Sequence, residues 1–145
     1  MNLILQLIVT IIFFGQNPDF QSIENFSCMY KKGIIRDSEK EMIEVLKKCS
    51  IEELLEIQKI IEVGKINGST YTGENACLIG SIANIRKVDY RKMEGIYPDH
   101  LSPMEEFFKQ IRPKDTPKNN IFSAIALLWI KKHIRSTRAE LERAD

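Results

Sequence analysis

The chain has 145 residues, with 21 Lys and Arg against 20 Asp and Glu for a formal net charge of +1, and 43% hydrophobic and 28% charged residues. That length suits one domain with a single core that needs no disulfide or metal staple, and that composition excludes wholesale disorder. The near-neutral charge argues against a phosphate backbone as the main partner, and Cys28, Cys49 and Cys77, odd in number and without C-x-x-C spacing, read as reduced thiols of a cytoplasmic protein rather than as zinc ligands or a disulfide framework.

Residues 1–28 form an apolar leader open to three readings. Leu3 to Phe14 is apolar apart from Gln6 and Thr10, and as a helix would reach roughly 18 Å against a hydrocarbon core of roughly 30 Å. It is a signal or membrane anchor, a buried core segment, or a dispensable leader ahead of a start at Met29. A signal is opposed by the lack of any Lys or Arg before the run and by Phe13-Phe14-Gly15, which lacks the paired small residues that signal cleavage prefers. Contact with a membrane is expected only if residues 3–14 act as an anchor. Residues 29–145 are expected to form one helical domain.

From Ile34 onward the pattern is helical. Ser38 and Glu41 stand at capping-box spacing before Met42, Ile43, Val45 and Leu46. Ser50 and Glu53 repeat that spacing ahead of a stripe from Ile51 to Val63, which Gly64 ends as the residue after the C-cap. A glycine-rich connector follows, and Thr72 or Gly73 is expected to cap a helix carrying Cys77, Ile79, Ile82 and Ala83. Ser102-Pro103 opens a short helix through Phe107, Phe108 and Ile111 that stops before Pro113. The last helix is capped by a residue of Asp115-Thr116-Pro117 or of Asn119-Asn120. It is apolar almost all round from Ile121 to Ile130, which makes it the expected central element, and it turns polar beyond His133. No alternating strand pattern appears after Met29, so the fold expected is all-α, a compact orthogonal bundle of about five helices with the connector before the central Cys77 helix.

The stretch Gly68 to Asn84 exceeds what folding alone requires. If Cys77 lies in a first helical turn, the dipole and free amides lower its thiol pKa, and His100 beside Asp99 is the candidate base. The simpler reading is a small hydrophobe in the core. Gly68, Ser69, Thr70, Tyr71, Thr72 and Gly73 are candidates for holding an anion at a helix start, although no Walker lysine accompanies them. The simpler reading there is a connector whose Gly64, Gly68 and Gly73 take backbone angles other residues resist. Arg86, Lys87, Tyr90, Arg91 and Lys92 interleave cations with a ring, a pattern that suits nucleic acid but also a solvated helix end, which the net charge favours. Trp129 reads as a core anchor, and Glu52-Glu53 and Glu105-Glu106 as acids placed by the helix dipole. No metal-ligand set or cofactor motif is present.

The residues Asn67-Gly-Ser-x-Tyr-x-Gly-Glu-x-Ala-Cys-Leu-x-Gly-Ser-x-Ala-Asn84, Ile111-Arg-x-x-Asp115-Thr-Pro-x-x-Asn120 and Ala126-x-x-Trp129-Ile130 resemble a family of short proteins of unknown function found in phage and bacterial genomes. The resemblance runs from Val63 to His133 and contributes nothing upstream. Relatives often carry Cys-Ala-Cys where this chain has Asn75-Ala76-Cys77, a departure that weakens any role needing two thiols. The resemblance implies a cytoplasmic, phage-associated setting and no activity. The expectation from the whole sequence is a non-catalytic protein that binds a protein partner or itself. The alternatives are a cysteine-dependent hydrolase or transferase using Cys77 with His100, and a nucleic-acid accessory protein using Arg86 to Lys92.

Overall fold

The computed structural model describes residues 20–144, with side chains from Gln21 onward. The apolar run Leu3 to Phe14 and its three readings lie outside the described residues. Helix α1, Phe20–Lys31, was not expected from the sequence. Its Phe26 is wholly buried and meets Phe122 edge-on at 5.5 Å between ring centroids. Burying a ring of that size is worth about 2–3 kcal/mol. The division at residue 28 therefore falls inside a helix whose side chains enter the common core.

Gly33, at φ 78, turns the chain from α1 into α2, Ile34–Leu46. This early start overturns the expected cap at Ser38, which lies a full turn inside α2. Its hydroxyl donates to the Ile34 carbonyl at 2.6 Å and approaches the Pro103 carbonyl at 2.8 Å, fastening α2 to the helix that begins there. Helix α3, Ile51–Glu62, has the capping box expected of it. Ser50 Oγ accepts from the Glu53 amide at 3.2 Å, and Glu53 accepts from the Ser50 amide at 2.9 Å. Gly64 follows at φ 76.

Helix α4 is Leu78–Arg86, followed by a single 3-10 turn at Tyr90–Lys92. Helix α5, Pro103–Phe108, is capped by Ser102 with proline in its first turn. Helix α6, Ile121–Ala144, takes Asn120 as its cap, since the Asn120 side-chain oxygen accepts from the Ser123 amide at 3.0 Å. From Ile121 to Ile130 every residue of α6 but Leu128 is buried, and the helix packs on α1, α2 and α3. Beyond Ile134 it runs half-buried or exposed.

The described residues thus form an all-α bundle of six helices, α1 being the addition to the expected set. The main pairings are α2 on α5 and α3 on α6. Phe26, Phe107, Phe108, Phe122 and Trp129 build an aromatic centre in which Phe107 meets Phe108, Phe122 and Trp129 at 5.4, 5.1 and 4.8 Å. Among the described residues the only sheet-like feature is an isolated parallel bridge, Ile66 to Ala76. No helix among them is long and apolar enough to cross a membrane.

Candidate functional site

The connector between α3 and α4 is a closed loop. The Asn67 amide donates to the Ala76 carbonyl at 3.0 Å, the Cys77 amide to Thr70 at 2.8 Å, and the Gly68 amide to Ile111 at 2.9 Å. Gly64 and Gly73 have the positive φ expected of them; Gly68 does not. What requires glycine at 68 is proximity, because a Cβ there would lie 1.7 Å from the Phe108 carbonyl oxygen. Gly80 is small for a similar reason, its absent Cβ falling 2.2 Å from the Tyr71 carbonyl.

These contacts revise the anion-site reading of Gly68 to Gly73. The helix does not begin there but at Leu78, with Cys77 rather than Thr72 or Gly73 as its N-cap. The loop's polar groups are largely spent on one another. Ser69 donates its amide to Asn67 Oδ1 at 3.1 Å, the Thr72 amide to Thr70 Oγ1 at 3.2 Å, and the Thr70 hydroxyl to the Thr72 carbonyl at 3.2 Å. The Tyr71 ring stacks on Tyr90 at 4.6 Å with the planes 6° apart. Its hydroxyl donates to the carboxylate of Glu105, and burial first, then that carboxylate, holds the phenol well above the ordinary tyrosine range.

Glu105 is only 6% exposed, a depth of burial that placement by the helix dipole does not require. Besides the Tyr71 hydroxyl it accepts the Asp99 amide, so one buried carboxylate joins the connector, α5 and the loop before α5.

Cys77 is 4% exposed, and its sulfur accepts from the Gly80 amide at 3.5 Å. Burial pushes the thiol up to about 11; the Gly80 amide opposes this and the Glu105 charge adds to it. The helix start does act on the sulfur in the expected direction, but desolvation exceeds it. His100 is exposed and contributes its backbone carbonyl, which accepts from Lys109 Nζ at 2.7 Å. Asp99 spends its carboxylate on the Leu101 amide at 3.0 Å. Among the described residues no hydrogen bond joins Cys77, His100 and Asp99, so the nucleophile and base expected of an activated cysteine are not assembled.

The basic segment is likewise divided. Arg86 is bound to Glu53 at 2.7 and 3.1 Å and to the Lys48 carbonyl at 2.8 Å, fastening the end of α4 to α3. Arg91 is paired with Asp89 at 2.8 Å, and Tyr90 has one face on Tyr71. Lys87 and Lys92 are exposed, too few to track a phosphate backbone.

A different feature, without a sequence signal, stands out on the surface. Tyr97 and Leu101 are 78% and 74% exposed on a loop whose base is fixed by the bonds of Asp99 and His100 already given and by the Ser102 amide on the Asp99 carbonyl at 2.9 Å. Comparison of the chain with known families, curated proteins and solved structures finds no match in any of the three.

Proposed function

We propose that the protein works by binding another protein, through the loop from Tyr97 to Leu101, and not by catalysis. The observation that carries this reading is the near-full exposure of two large apolar side chains on an internally bonded loop. The bonded backbone of the loop lowers the ordering that docking requires, and tyrosine is among the residues that most often anchor an interface. The dispersed and partly neutralised cations favour a protein over a nucleic acid. Three free cysteines, with Cys28 exposed, support a reducing, cytoplasmic setting, and the phage association follows from the motif resemblance alone.

The test places a photo-crosslinking amino acid at position 97 in cells. The reading expects one protein to be crosslinked, with the product lost in the Leu101→Ser variant. Light scattering of the purified chain tells whether that protein is a second copy. An unlinked position 97 together with a strict monomer would overturn the reading.

A further inference from the structure

A cavity of about 340 Å³ lies between the second half of α2 and the second half of α6, lined by Ile43, Leu46, Trp129, His133 and Thr137 among others. Trp129 is 5% exposed and has Phe107 against its ring. Its indole N–H has no hydrogen-bond acceptor among the described residues. A buried donor of this kind is left to water or to a ligand for its hydrogen bond. A residue that lines a cavity can recover the bond from whatever occupies it.

The charges around the space cancel, Lys47 and Lys132 against Glu39 and Glu140. Burial holds the His133 imidazole below its ordinary range, with Glu140 opposing that and Lys47 adding to it, so the ring is neutral in neutral solution and within 3.4 Å of the Thr137 hydroxyl. A charged ligand would surrender its hydration to meet as many like charges as opposite ones. An uncharged ring meets an indole and two aliphatic side chains. The volume is at the lower end of the roughly 300–1,000 Å³ of ligand sites, enough for one small molecule.

We propose that this cavity is a binding site for a small uncharged aromatic molecule bearing a hydrogen-bond acceptor, which takes the Trp129 N–H. The site is independent of the protein-binding loop. Trp129 is the only tryptophan of the chain, so its emission and its indole N–H resonance report on the cavity directly.

Acetanilide serves as the probe, with ethylbenzene as the ring without an acceptor and benzoate and benzylamine as charged counterparts. Acetanilide is expected to shift both signals saturably, and the other three to bind about tenfold more weakly or worse, the range for one unsatisfied bond or one uncompensated charge. Ser136→Phe, at an exposed residue lining the cavity, is expected to abolish the response while circular dichroism stays unchanged. The proposal is overturned by a response to acetanilide that never saturates, by tighter binding of benzoate or benzylamine, or by a folded Ser136→Phe protein that responds as the parent does.

Discussion

At Gly68 the main chain of the connector lies directly on the main chain that ends α5, and a methyl group has no place between them. Neither partner is a flexible side-chain end, so relaxation requires two segments to part. Gly68→Ala is expected to destabilise the fold by about 3 kcal/mol or more, measured by denaturant unfolding. The cysteines give a second expectation at this scale. Cys77 and Cys49 are both pushed from 9.0 up to about 11, chiefly by burial. A raised native pKa means that above pH 9 the unfolded chain releases protons the native chain retains, so stability is intact below pH 9 and falls between pH 9 and 11. Replacing both by alanine is expected to flatten that alkaline limb. In the native protein at neutral pH, iodoacetamide is expected to label exposed Cys28 well before Cys77.

Elements whose signals are local were legible. The Ser50–Glu53 box, the Ser102-Pro103 start and the turn at Gly64 involve bonds spanning a few residues, and the structure has each. Ser38 has the same spacing as Ser50, yet Gly33 starts the helix earlier and the hydroxyl is drawn to the Pro103 carbonyl far along the chain. The start of α4 was misplaced for a similar reason, since Ala76 is held in a bridge to Ile66 and the helix can begin only after it. In α1 the spacing of Phe20, Ile23, Phe26 and Met29 is that of a helix, but it straddles the boundary at residue 28 and its anchor, Phe122, is distant in sequence. At the candidate sites, the exposure of Tyr97 and Leu101 and the burial of Trp129 beside a cavity are products of tertiary packing, which periodicity does not record. The caps can be ranked by experiment. Ser50→Ala is expected to cost about 1 kcal/mol. Asn120→Ala is expected to cost about 2–3 kcal/mol, because the buried Asn120 amide also donates to the Gln110 carbonyl and the Asp115 carboxylate at 3.0 Å each, and its loss leaves the carbonyl unpaired and the carboxylate with Arg112 alone. Thermal or denaturant unfolding of the two variants side by side checks the order.

Across the whole molecule, α6 is the axis on which α1, α2 and α3 converge, and Phe26 is the contribution of α1 to that convergence. Phe26→Ala is expected to cost about 3–5 kcal/mol, as for other buried phenylalanines. A chain begun at Met29 would lack Phe26 and most of α1, and is expected to show at least that loss; a melting temperature equal to that of the full chain would refute it. The two proposed sites are separate in kind as well as place. One displays apolar side chains outward, and the other is a recess beside the buried Trp129. Substitutions at Tyr97 or Leu101 are expected to leave stability within about 0.5 kcal/mol and leave the Trp129 response intact.

The bridge between Ile66 and Ala76 closes the neck of the connector, whereas its tip at Thr72, Gly73 and Glu74 is exposed, bonded to neighbouring Thr70 and tied to α4 by the Asn84 side chain on the Gly73 carbonyl at 2.8 Å. Extra chain spliced in at the tip would add only a slowly growing closure entropy, because the neck already fixes where the loop leaves and returns. The protein therefore carries a natural attachment point, at which an epitope or fluorophore can be inserted without disturbing the buried contacts of Gly68, Tyr71 and Cys77.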